Sequence, residues 1–148
     1  MKKQASRLQA QSGVMLIEAL IAILIFSVGV LGIIGLQGSA VKASVDAKYR
    51  SEAALLANDL IGRMWASDRT QATLQANYAS TTNGALFLQW RNTVQAALPG
   101  AATNPPTVAI AASAGTVVPT SLVTITIFWQ VPGEAAVHNY VAVAQVGG

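Results

Sequence analysis

The sequence predicts an α+β fold: a long N-terminal α-helix, transmembrane and then amphipathic, packed on a small antiparallel β-sheet head. Three observations predict it. An apolar stretch, VMLIEALIAILIFSVGVLGIIGL, runs from Val14 to Leu36 with a single charge, Glu18. No proline occurs before Pro99, so nothing in the chain forbids one helix from Val14 to about Ser67. The late run LVTITIFWQV alternates β-branched and aromatic residues, as a half-buried strand does.

The first thirteen residues, MKKQASRLQAQSG, are polar and carry Lys2, Lys3 and Arg7 without an acid. They read as a leader, residues 1–13. The apolar segment follows the small residue Gly13 instead of preceding it. A secretory signal peptide has the opposite order, with an apolar core of about 7–15 residues ahead of its cut. Cleavage at Gly13 therefore leaves the whole apolar segment attached to the rest of the chain. An ordinary signal anchor, basic inside and apolar across, is the alternative reading of the same residues.

Residues 14–40 are apolar all round and exceed the roughly 20 residues that span a bilayer. Glu18 inside such a helix costs about 2.5–3.5 kcal/mol on insertion scales, which argues that the carboxylate has a task. Gly29, Gly32, Gly35 and Gly38 form a series in the same half, each costing up to about 1 kcal/mol against alanine in a helix. Two readings stay open. Small residues permit close helix–helix approach in lipid, or the series marks a weak section able to unwind.

Past residue 40 the helix becomes amphipathic. Val41, Val45, Tyr49, Ala53, Leu56, Leu60 and Met64 fall at spacings of three and four, and Leu55, Ile61 and Trp65 widen the stripe. Opposite charges fall four apart at Asp46/Arg50, Lys48/Glu52 and Asp59/Arg63, each pair adding only about 0.2–0.5 kcal/mol. At 1.5 Å per residue the helix is roughly 80 Å long, more than a lone anchor needs.

The remainder of 41–148 supplies the head. Residues 67–84 are rich in Ser, Thr and Asn and read as a loop with room for a helical turn. Leu86, Trp90, Val94 and Leu98 place a second helix over Ala85–Leu98, stopped by Pro99-Gly100. Strands are predicted at Thr107–Ala112, Leu122–Val131 and Val137–Val146. The segment PGEAA joins the last two as a hairpin. In the middle strand Leu122, Thr124, Thr126 and Phe128 take one face, and Val123, Ile125, Ile127 and Trp129 the other.

Composition narrows the function. The chain has 148 residues, one small domain plus an anchor. Its formal charge is +3, from nine bases and six acids. Three of those bases lie in the leader, so the rest balances at zero. The basicity is topological, positive side inside, and gives no footprint for nucleic acid. With no cysteine there is no disulfide, metal thiolate or redox pair. The single histidine, His138, reads as an exposed strand residue and not a ligand. No nucleophile elbow, zinc-protease helix motif or phosphate loop occurs. No catalytic, cofactor-binding or metal residue is assigned, and no cofactor is expected.

The junction SG–VMLIEAL behind a basic leader resembles the processing site of type IV prepilins. The run AALLANDLIGRMWAS from Ala53, the pair Trp90-Arg91, ALPG at 97–100 and the strand VTITIFW are similar to the PilV group, the type IV pilus modification proteins, which are minor pilins. The likeness covers nearly the whole chain. Val14 and Met15 depart from it, since phenylalanine and threonine are commoner there, and the absence of a C-terminal disulfide departs from many pilins.

The resemblance implies that a membrane prepilin peptidase cuts between Gly13 and Val14 on the cytoplasmic side, and that Val14 is then N-methylated. It implies that Glu18 neutralises the terminal amine of a neighbouring subunit and sets axial register; pairing with its own amine or with a lipid headgroup near the interface is the competing reading. It implies melting of the Gly29–Gly38 section in assembled filaments. The expected partners are the peptidase, other minor pilins, the major pilin, the inner membrane and a tip adhesin, with no nucleic acid. The expected location is the inner membrane, single-pass with the N-terminus cytoplasmic before processing, and then the pilus at the cell surface. The function implied is support of pilus assembly and initiation, and hence adhesion or twitching. A minor pseudopilin of a type II secretion system and a plain bitopic membrane protein remain as alternatives.

Overall fold

A computed structural model describes residues 6–113 and 120–147, with side chains from Gly13 onward. Helix α1 (Ser6–Ala66) is followed by α2 (Gln71–Tyr78), α3 (Ala85–Ala97) and the strands β1 (Thr107–Ala112), β2 (Thr120–Trp129) and β3 (His138–Gly147). The fold is α+β, a long helix and a small three-stranded antiparallel sheet. The chain divides into two compact units, Met1–Ser44 and Val45–Gly148, and α1 contributes to both.

The described residues of the first unit are helix alone. Val14 to Leu36 is exposed on every side, including Leu16, Ile17, Leu24 and Phe26. It is long and apolar enough to cross a membrane, and none of that stretch is buried. Its hydroxyls are turned back on the helix: Ser27 Oγ donates to the Ile23 carbonyl at 2.7 Å. That spares them an unpaired donor in an apolar setting.

The second unit holds the core. Ala53, Leu56, Ala57, Leu60 and Met64 bury one face of α1. Val45, Tyr49 and Ile61 pack at its margin. The wider stripe expected from the sequence is corrected here. Leu55 is 66% exposed and Trp65 45%, because they lie off the arc that the sheet covers. Ala57, small enough to let its neighbours approach, takes a place on the buried arc.

The sheet order is β1-β2-β3, both pairs antiparallel. Val123, Ile125, Ile127 and Trp129 are buried, and Leu122 is exposed. The register sets Ile125 between Val108 and Ala142 on the core-facing side. The expected strands are therefore present, with β2 shifted two residues toward the N-terminus at each end.

Two corrections concern the connections. Residues 71–78 form the full helix α2, not a loop. Leu74 and Tyr78, one turn apart, bury its one apolar face. Gln75 Nε2 donates to the Ile110 carbonyl at 2.9 Å, and Tyr78 Oη donates to the Arg63 carbonyl at 3.3 Å. The second helix begins at Ala85 as expected, but Phe87 is buried at 3% while Leu86 remains 37% exposed.

The ALPG segment ends α3 and fixes the end of β2. Leu98 is buried, and its N–H donates to the Val94 carbonyl at 2.9 Å. The Pro99 carbonyl accepts the Gln130 N–H at 2.9 Å. Gly100 has φ +76°, and a Cβ there would stand 2.8 Å from Gln130 Cβ. Only glycine meets both demands without strain.

Candidate functional site

The site predicted from sequence lies on the first turns of the exposed apolar helix. Gly13 and Val14 are both inside α1, whose described start is Ser6. The helix thus runs through the junction, and both residues are helical. Lys2 and Lys3 of the leader lie outside the described residues. Glu18 is one turn beyond Val14, so the two positions share a face about 6 Å apart along the axis. The Glu18 side chain is exposed and has no ion-pair partner among the described residues. A carboxylate on a helix otherwise built of Leu, Ile, Val and Ala is left to whatever surrounds that helix.

The glycine series is equally exposed. A Cβ built at Gly13, Gly29, Gly32, Gly35 or Gly38 would meet nothing within 4 Å. No contact among the described residues requires these positions to be glycine.

The second unit carries a polar cluster that the sequence reading missed. His138 is not an exposed strand residue; its side chain is 30% exposed. It pairs with Trp129 across the β2–β3 ladder. The rings stack at 5.8 Å with 16° between their planes. His138 Nε2 stands 3.2 Å from Glu134 Oε2. Its Nδ1 is 3.3 Å from Asp46 Oδ1, a distance for ion pairing without hydrogen-bond alignment. A charged imidazole donates on both sides, a neutral one on only one. Asp46, expected to pair with Arg50, instead faces the sheet. Asp59 and Arg63 do meet, at 3.0 Å. The only sequence signal for the cluster was the cross-strand position of a polar ring beside an inward-facing tryptophan.

A third polar feature precedes α2. Asp68 Oδ1 accepts the Thr70 N–H at 3.0 Å and Oδ2 accepts the Thr73 hydroxyl at 3.1 Å. The Thr70 hydroxyl in turn donates to Thr73 Oγ1 at 2.9 Å. The Thr70 N–H first, and then the Thr73 hydroxyl, hold the Asp68 carboxyl below its ordinary 3.8. This is a local turn that starts a short helix.

Among the described residues no group of three or more His, Cys, Asp or Glu side chains is arranged to hold a metal ion. No protein-family model, curated protein or solved structure matches the chain.

Proposed function

We propose that the chain is a minor pilin of a type IV pilus, cut after Gly13 by a prepilin peptidase and carried from the inner membrane into the filament. One observation carries this reading: a fully exposed apolar helix bears a lone carboxylate, Glu18, one turn past the Gly13–Val14 junction. Lipid covers such a surface before assembly and other subunits cover it afterwards. Cutting at Gly13 creates a cationic amine at Val14. Opposite charges in a low-dielectric contact attract strongly, and a lone one is penalised. Glu18 of one subunit therefore meets the Val14 amine of a neighbour and sets its axial position.

The exposed glycine series from Gly29 to Gly38 gives neighbouring helices room to approach, and gives the section a low barrier to unwinding. The α+β unit beyond Val45 is the head that other minor pilins, the major pilin and a tip adhesin contact. In this reading the protein is a peptidase substrate and an assembly subunit, not an enzyme, and pilus initiation, adhesion or twitching depends on it.

The test is intact-mass analysis of the protein extracted from membranes of cells that contain a prepilin peptidase. The expected mass is that of a chain starting at Val14, with or without one methyl group. A chain retaining Met1 would leave a plain bitopic membrane protein as the reading.

A further inference from the structure

A cavity of about 300 Å³ opens on the second unit, between α3, the turn at residues 80–83 and the entry to β1. Phe87, Pro105 and Pro106 form apolar walls, and Arg91 lines it beside Thr81 and Asn83. Arg91 is a cation without an acid. No ion pair or hydrogen bond reaches its guanidinium among the described residues, and its Nε is shut off from solvent without an acceptor. Buried polar groups are nearly always satisfied, and a charged donor left unpaired is among the costlier exceptions.

The chain packs around the Arg91 Nε but gives its guanidinium no acceptor among the described residues. Trp90, its neighbour, bonds to α1 and is fully buried. Phe87, one turn earlier, closes the cavity floor at 3% exposure. The turn opposite is stiff: Asn83 has φ +48°, an unusual value for a residue with a side chain. Gly84 packs so tightly that a Cβ would stand 2.2 Å from the Asn77 carbonyl carbon. Ser80 is occupied, since its hydroxyl donates to the Val108 carbonyl and accepts the Val108 N–H. The free chemistry is thus a half-exposed guanidinium beside the exposed Pro105, with the buried Phe87 and Pro106 behind them.

We infer that this cavity is a docking site for a partner protein's acidic segment, taking one carboxylate on Arg91 and the adjoining apolar side chain against Phe87, Pro105 and Pro106. A guanidinium matches a carboxylate in a two-point, charge-assisted hydrogen bond. The apolar walls exclude water from that pair and strengthen it. A single side chain and its neighbour fill a space of this size. The inference stands apart from the filament reading, since it uses only residues of the second unit.

The experiment uses the full chain in detergent micelles, with the arginine Nε–H signals followed by NMR. The probes are the dipeptides acetyl-Phe-Glu-amide and acetyl-Phe-Gln-amide. The Glu probe should shift the Arg91 Nε–H signal and bind at least tenfold more tightly than the Gln probe. Arg91→Gln should erase that preference without changing the melting temperature by more than a few degrees, and Arg91→Lys should keep part of it. Equal binding of the two probes, or no shift with either, overturns the inference. Displacement of the Glu probe by an equal concentration of inorganic phosphate overturns the carboxylate assignment.

Discussion

The indole Nε1 of Trp90 donates to the main-chain carbonyl of Leu56 at 2.9 Å, a bond that joins α3 to α1 across 34 residues of sequence. Both residues are buried. The Leu56 carbonyl also serves its own helix, so losing the indole leaves no orphaned acceptor. Trp90→Phe should therefore keep the fold and lower stability by at least about 1 kcal/mol, the net of one hydrogen bond. Urea unfolding of the full chain in detergent, followed by far-UV circular dichroism, measures it. An unchanged midpoint would show that the bond adds nothing.

The buried arc of α1 gives a paired comparison. Leu60 is fully buried, and Leu55 is 66% exposed. Leu60→Ala should destabilise by about 2–5 kcal/mol through lost burial and a cavity. Leu55→Ala should stay within about 0.5 kcal/mol of the parent. Comparable losses from both would mean that Leu55 is also covered in the solution state.

Two glycines beyond the exposed apolar segment should respond in opposite directions. Gly100→Ala forces a side chain into a left-handed position and against Gln130, and should cost more than about 1 kcal/mol. Gly62→Ala adds a methyl that meets nothing within 4 Å. It should stabilise by about 0.4–1 kcal/mol, chiefly by restricting the unfolded chain. Thermal melts of the two variants beside the parent read both signs.

Asp68 predicts an acid limb. Its carboxyl is held below the ordinary 3.8 by the Thr70 N–H and then the Thr73 hydroxyl. A depressed folded value means that this contribution is fully present above 3.8 and is lost as pH falls through the folded value. Asp68→Asn should flatten that part of the stability profile below pH 4 and leave neutral-pH slopes alone. The check is a series of urea midpoints from pH 2 to pH 7; identical acid limbs in both proteins would remove Asp68 as a contributor.

Under the proposed function, Glu18→Ala separates insertion from assembly. Removing a charge from an apolar helix should leave membrane insertion unharmed, and the Gly13–Val14 junction stays intact for cleavage. Incorporation into sheared surface filaments should fall at least tenfold while the processed subunit persists in membranes. Normal incorporation would move the assembly determinant to helix packing around Gly29 to Gly38.

The sheet and α3 were legible in the sequence because each carries its own period. Val123, Ile125, Ile127 and Trp129 announce an inward face by alternation alone. Trp90, Val94 and Leu98 do so at helical spacing. Helix α2 was not legible, because Leu74 and Tyr78 are the only apolar residues that it buries, and two residues define no period. Its bonds go to Ile110 and Arg63, far away in sequence. The same limit hid His138. Its neighbours Trp129 and Asp46 meet it across a strand pair and from α1, and Asp46 had a plausible local partner in Arg50. Glu18 and the glycines stood out for the opposite reason. They break the composition of their own segment, so no tertiary contact was needed to single them out.

Strand order across the sheet repeats strand order along the chain. Each ladder closes over a short connection, residues 113–119 or 130–137. Closing such loops carries a small entropy cost, and contacts between sequence neighbours form early. The helix meets α3 across a longer stretch, in the Trp90–Leu56 bond. Translation delivers these pieces in the reverse order. The arc from Ala53 to Met64 leaves the ribosome before a single strand exists to cover it, with only α2 and α3 following soon enough to meet it early. The interval in which this protein is most exposed to aggregation is therefore set by the time needed to synthesise everything that packs on its helix, the sheet last, and not by the rate at which that helix forms.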